Sequence, residues 1–179
     1  MSIDVDARVG SGPVARVALS HPSWDDCVAQ AARTLDAARL RGVTLGSAES
    51  CTGGLVEGAL TAVAGSSDVV MGAIGSYACS VKHRVLGVDE RVLDTVGPVS
   101  EECARQMAQG ARLALGCDVA VSVTGIAGPG GAEPGKPVGL VWFGLASPDG
   151  NTAESLVFPG DRAQVRLAAV MHALRMLEG

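Results

Sequence analysis

The chain has 179 residues, 47% of them hydrophobic and 3% aromatic, with 24 glycines and a formal net charge of -5. That length suits one domain with a proper core, and an alanine, valine and leucine core rich in glycine suits α/β layers. Acids and bases are mixed along the chain, so no basic stripe exists for a long nucleic-acid footprint, and no apolar run approaches the ~20 residues of a membrane span.

Residues 1–20 lack the basic start and apolar centre of a signal peptide, so a cytoplasmic protein with neither nucleic-acid nor membrane partner is expected. The five cysteines are an odd number without a CxxC pair, and the three histidines have no ligand spacing. A reduced compartment, no metal and no cofactor are expected. Only Lys82 and Lys136 among 14 basic residues are lysines, and Tyr77 is the one tyrosine. Where arginine serves nearly everywhere as the cation, a lysine asks for a reason.

Taken in order, residues 1–22 read as a flexible or peripheral segment and 23–179 as the domain. Ser23-Trp-Asp-Asp26 has the form of a capping box, followed by apolar residues at helical spacing as far as Gly42. Val43 to Ala48 reads as a buried strand, and Leu55, Ala59, Leu60 and Val63 mark a second helix ending at Gly65. A strand from Val69 to Tyr77 and short helices over Ser80 to Leu86 and after Asp89 come next. Ser100 caps a longer helix that stops at Gly116. Cys117 to Thr124 alternates valines with small residues and runs into a Gly-Pro-rich loop, Gly125 to Pro137. Val138 to Ala146 and Thr152 to Phe158 flank the hairpin signal Ser-Pro-Asp-Gly-Asn, and Asp161 with Gln164 opens the last helix. The expected architecture is a three-layer α/β/α sandwich with a mixed, mostly parallel sheet.

The chemistry concentrates at Glu49-Ser50-Cys51-Thr52-Gly53-Gly54, between a strand and a helix. Helix N–H groups there favour negative charge, and a serine so placed suits acyl transfer. From the turn alone, Ser50 or Thr52 capping the helix is the simpler explanation. Cys51 is a rival nucleophile, which a helix start would activate, although a small buried hydrophobe is its commoner role. A serine needs a base, and Tyr77-Ala-Cys-Ser-Val-Lys82 supplies a phenol and an amine that converge if Tyr77 ends a strand and Lys82 lies in the next helix. Gly125 to Gly131, with Gly128 and Gly130, allows close approach of backbone to a ligand, and Lys136 and Arg162 offer charge for a phosphate.

Ala48-Glu-Ser50-Cys-Thr-Gly-Gly54, Gly65-Ser-Ser67, Tyr77 with Lys82, Pro98-Val-Ser-Glu101, Val123-Thr-Gly-Ile-Ala-Gly-Pro129, Lys136-Pro-Val-Gly139 and Gly160-Asp-Arg162 together closely resemble the CinA C-terminal domain family. The family includes nicotinamide-nucleotide amidohydrolases. The resemblance implies an anticodon-binding-domain-like sandwich and hydrolysis of the carboxamide of nicotinamide mononucleotide in pyridine-nucleotide salvage. It further implies a catalytic set of Ser50, Tyr77 and Lys82. The backbone of Thr52, Gly53 and Gly54 at the helix start, and Gly128, Gly130 and Arg162 for the phosphate, are the residues expected on the substrate side. A small-molecule nucleotide is then the expected partner, and a homo-oligomer is left open. The chain looks like the stand-alone form, without a molybdopterin-binding-like domain. The family's Tyr-Ser-Asn-x-x-Lys has Cys79 for its Asn here. That departure keeps a non-catalytic nucleotide-binding or regulatory module as the alternative function.

Overall fold

The computed structural model describes residues 21–179 and, before them, two-residue strand pieces at Arg8–Val9, Gly12–Pro13 and Ala15–Arg16. Most of the expected flexible or peripheral segment, 1–22, falls outside the described residues.

Ser23 opens helix α1 (Trp24–Arg41) with both halves of its capping box made: the Ser23 hydroxyl accepts from the Asp26 N–H and the Asp26 carboxylate accepts from the Ser23 N–H. Strand β1 (Leu45–Glu49), helix α2 (Leu55–Thr61), strand β2 (Val70–Gly75) and helices α3 (Cys79–Leu86), α4 (Glu90–Thr95) and α5 (Glu101–Leu115) follow. Strands β3 (Val119–Gly125), β4 (Leu140–Ser147) and β5 (Gly150–Val157) and helix α6 (Arg162–Glu178) complete the chain. Every expected element is present. The second helix is shorter than expected: it ends at Thr61, and a 3₁₀ turn at Ser66–Asp68 leads into β2. Strand β2 also stops two residues before Tyr77, with the Ser76 N–H donating to the carbonyl of Glu49 at the end of β1.

The strands lie in the order β5-β4-β3-β1-β2, with Ala15–Arg16 beside β5. Strand β1 is parallel to both β2 and β3, and β4 runs antiparallel to β3 and β5, so a parallel core carries an antiparallel hairpin. Register places Glu49 opposite both Gly75 and Val123. The chain therefore leaves the carboxyl ends of β2, β1 and β3 side by side, the edge of an open α/β sheet where ligands bind.

Alternation along the strands sorts side chains between two cores. On one face Leu45, Val121, Val123 and Phe143 pack with Leu35, Val56, Leu60 and Leu174 of α1, α2 and α6. On the other, Ala48 and Ala120 pack with Leu86, Met107 and Ala111 of α3 and α5. Those helices lie close enough to demand glycine: a Cβ at Gly110 would come 1.9 Å from the Leu86 carbonyl oxygen, and one at Gly144 would come 2.3 Å from the Ala104 carbonyl oxygen.

Neither obstacle at Gly110 and Gly144 is a side chain that can swing away. Gly110→Ala is expected to destabilise the protein by about 3 kcal/mol, as overpacking does, lowering the melting temperature by roughly 6–12 °C. Urea unfolding unchanged from wild type would show that α3 and α5 part at no cost.

Candidate active site

The alternation that builds the two cores also divides the Ser50 turn. Glu49 shares the β1 face of Leu45 and looks toward α2, whereas the next residue looks toward α3. Glu49 is fully buried, and its carboxylate accepts the N–H groups of Gly54 (2.9 Å) and Val56 (3.1 Å) on Oε2 and of Glu57 (2.9 Å) on Oε1. The anion favoured at the start of α2 is thus the protein's own. Neither Ser50 nor Thr52 caps this helix. The N-cap is Gly54, with φ +90°, and the N–H of Gly54 is unavailable to a substrate.

Ser50 sits 9% exposed with its N–H on the Val123 carbonyl, which ties the turn to β3. Its hydroxyl meets Lys82. The first turn of α3 folds back over the strand ends, so that Lys82 Nζ lies 2.9 Å from Ser50 Oγ and also donates to the Ser76 carbonyl. Lys82 is only 1% exposed, yet its partners are a hydroxyl and a carbonyl, with no carboxylate among the described residues to hold a charge. Burial pushes the Lys82 ammonium below its ordinary 10.5, toward the neutral amine, and the thiols of Cys103, Cys79 and Cys51 oppose that shift only weakly.

Cys51 is buried, and desolvation drives its thiol up to about 11, so it carries no thiolate near neutral pH. Tyr77 lies on the rim, 72% exposed, and its hydroxyl has no hydrogen bond to Ser50 or Lys82. A cleft of about 190 Å³ is lined by Ser50, Cys51, Tyr77, Cys79, Lys82, Thr124 and Arg162, together with Pro98 and Val99. A second hollow of about 460 Å³ shares Ala127 and Arg162 with it and is bounded by Gly128, Pro129, Val138 and Gly160.

Arg162 therefore faces both spaces while donating to the Gly128 carbonyl at 2.8 Å. Gly130 borders neither. Lys136 is spent elsewhere, donating to the Val96 carbonyl at 2.6 Å beside Glu133. Thr52 and Gly53 do not line the cleft, but their turn is gripped from α6: Arg166 donates to the carbonyls of Cys51 (3.0 Å) and Thr52 (2.8 Å). Nothing in the sequence around Arg166 marks it, because it reaches the turn only through the packing of α6.

The described residues include no group of three or more His, Cys, Asp or Glu able to hold a metal, and no helix among them is long and apolar enough to cross a membrane. A buried amine against a serine hydroxyl, with an open cleft above both, can move a proton off the hydroxyl and return it to a leaving group.

Comparison with known proteins places the chain in a family. The CinA C-terminal domain model matches residues 28–179. Nicotinamide-nucleotide amidohydrolase PncC of Enterobacter agglomerans is 48% identical over 141 residues, covering 78% of this chain and 85% of that protein. A CinA-like protein of Salinibacter ruber is 53% identical over 127 residues, covering 71% of this chain but 31% of the other, so the chain spans about a third of the length of that relative. Among solved structures, the competence/damage inducible protein CihA of Agrobacterium tumefaciens superposes with a TM-score of 0.82 at 40% identity, over 89% of this chain and 96% of that one. With the family's model matched across nearly the whole domain and the same fold in its solved structures, the chain belongs to the CinA C-terminal domain family.

Proposed function

We propose that this chain hydrolyses the carboxamide of nicotinamide mononucleotide, with Ser50 as nucleophile and Lys82 as the immediate base. The observation that carries the reading is the 2.9 Å contact of a buried Lys82 amine with Ser50 Oγ, at the foot of a cleft open to solvent. The likeness to an amidohydrolase of nicotinamide nucleotides, 48% identical, supports the substrate.

In the neutral form, Lys82 Nζ accepts the Ser50 O–H. Ser50 Oγ bonds to the carboxamide carbon as its proton passes to Nζ, and the C=O π pair moves onto oxygen. Collapse breaks the C–N bond, and Lys82 returns the proton to the departing nitrogen, which leaves as ammonia. Water then adds to the acyl-enzyme, giving its proton to Lys82, and the second collapse frees nicotinate mononucleotide and the Ser50 hydroxyl. Tyr77, on the rim, meets the bound substrate rather than Ser50. Arg162 faces the 5′-phosphate from the wall shared by the two hollows, with Gly128 beside it.

Cys79 lines the cleft where the family's Asn is expected, which is the feature favouring a binding module that does not turn its nucleotide over. Ammonia release separates the two readings: tight nucleotide binding without ammonia would select the module.

Ser50→Ala is expected to lower kcat/KM by at least 10⁴-fold, by analogy with nucleophile knockouts of ~10⁶. Lys82→Met is expected to cost about 10³-fold, in the middle of the range for general base catalysis, and Tyr77→Phe much less. Because the unprotonated amine is the active form, kcat/KM should rise with pH through an apparent pKa below 10.5 and fall away on the acid side. That limb should vanish in Lys82→Met; a limb that persists there would transfer the base's role to another group.

Arg162→Ala tests the phosphate end separately. A lost charge-assisted hydrogen bond should raise KM for the nucleotide by roughly 10- to 100-fold while kcat changes by only a few fold. An unchanged KM would move the phosphate elsewhere.

A further inference from the structure

Resting on the nicotinamide reading above, we propose that Pro98 and Val99 are the apolar wall that receives the pyridine ring, and that Lys136 is the positioning residue that sets this wall.

The wall lies on an irregular stretch. Val96 to Ser100 joins α4 to α5 and belongs to neither helix nor to the sheet, so its carbonyls depend on donors from outside a regular ladder. Three successive carbonyls find them in side chains: Val96 accepts from Lys136 Nζ at 2.6 Å, Gly97 from Ser100 Oγ at 2.8 Å and Pro98 from Thr124 Oγ1 at 2.7 Å. Ser100 is the N-cap of α5 and Thr124 belongs to β3, so two of these grips come from elements that the core already fixes. Lys136 differs, because it arrives from the loop between β3 and β4, 40 residues along the chain from Val96.

That loop is built to present an amine. Glu133 and Lys136 exchange backbone hydrogen bonds of 3.0 and 2.8 Å around Pro134 and Gly135. Proline at the second position and a glycine with φ +77° at the third are the chemistry of a type II turn. The turn delivers Lys136 Nζ beside Gly97, where a Cβ would stand 3.2 Å from it. A lysine that bonds the last carbonyls of a helix closes its C-terminus. Here the carbonyl so held, that of Val96 at the end of α4, lies two residues before Pro98.

Phosphate binding does not account for this lysine. Lys136 lines neither hollow, and its amine is committed to Val96, with a Glu133 carboxylate oxygen 3.9 Å away. What it reaches is the base of Pro98 and Val99, half-buried residues that line the cleft with Ser50 and Lys82. Ser50 and Lys82 serve the reacting carbon and Arg162 the phosphate. Pro98 and Val99 bring apolar surface, which suits the face of an aromatic ring.

Lys136→Met keeps the reach of the side chain and removes its donor. Fit at the scale of one methylene in an apolar pocket is worth ~10–200-fold, so KM for nicotinamide mononucleotide should rise about tenfold, with kcat within about threefold of wild type. Lys136→Arg, which keeps a donor, should recover most of that loss. Calorimetry separates ring from phosphate: affinity for nicotinate mononucleotide should fall about tenfold in Lys136→Met, while that for ribose 5-phosphate, which has no ring, stays within about twofold. Val99→Ala should cause a similar loss, and the double variant should lose little more than either single one, because both changes act on one wall.

Ribose 5-phosphate affinity falling in step with nicotinate mononucleotide would make Lys136 a phosphate contact and overturn the assignment. Additive losses in the double variant, or wild-type affinities throughout, would overturn it as well. Lys136→Gln carries the same comparison if Lys136→Met does not fold. Failure of the substrate reading looks different. If wild-type protein releases no ammonia from nicotinamide mononucleotide but binds nicotinate mononucleotide, and Lys136→Met weakens that binding alone, hydrolysis falls and the wall stands. Absence of both hydrolysis and binding would remove both.

Discussion

The structure turns on a lysine that has been taken out of water without a counter-ion. Lys82 is 1% exposed, and its amine touches only the Ser50 hydroxyl and the Ser76 carbonyl. Burying an ammonium under those conditions is costly, and that burial lowers the pKa of the group from its ordinary 10.5. The partners that it does have arrive through the parallel core. Register sets the carboxyl ends of β1 and β2 together, Ser50 follows one and Ser76 the other, and α3 starts three residues later with Lys82 on its first turn. A mixed sheet with any other neighbour for β1 would not deliver these two groups to one amine.

The adjacent residue shows how strand alternation divides labour. Glu49 and Ser50 leave opposite faces of the sheet, so the carboxylate goes to the start of α2 and the hydroxyl goes to Lys82. Because Glu49 satisfies that helix internally, the local field that would activate a thiol at a helix start is neutralised at its source. Burial then raises the pKa of the Cys51 thiol to about 11. The turn is thus held from the sheet by Glu49 and from α6 by Arg166, two grips of opposite charge on consecutive stretches of backbone.

Much of this was legible in the sequence, and the rest was hidden for identifiable reasons. Local signals sufficed for the elements: the Ser23 and Asp161 boxes, the Ser100 cap and the alternating valines of β3 all appear where their chemistry requires. The scarcity of lysine pointed to Lys82, since in a chain that uses arginine nearly everywhere a lysine asks for a reason. Glu49 was visible but assigned no part in capping, because an acid that precedes a serine suggests catalysis before it suggests a carboxylate folded under the helix that follows. The expected charge at Lys136 was misplaced by the path of its loop, which brings the amine to the Val96 carbonyl. Arg166 lies 115 residues from the turn that it holds, a distance that no local pattern spans.

The protonation state of Lys82, held against Ser50, is open to direct observation. With only two lysines in the chain, ¹³Cε-labelled lysine gives a two-resonance spectrum in which Lys82→Met identifies the Lys82 signal. Following that signal with pH reports the protonation of the amine without recourse to activity. A midpoint below 10.5, with the amine substantially neutral where the protein works, is the expected result. A midpoint at or above 10.5 would mean that the cleft keeps Lys82 charged, and the buried amine would then be a structural cation rather than the base of a serine amidohydrolase.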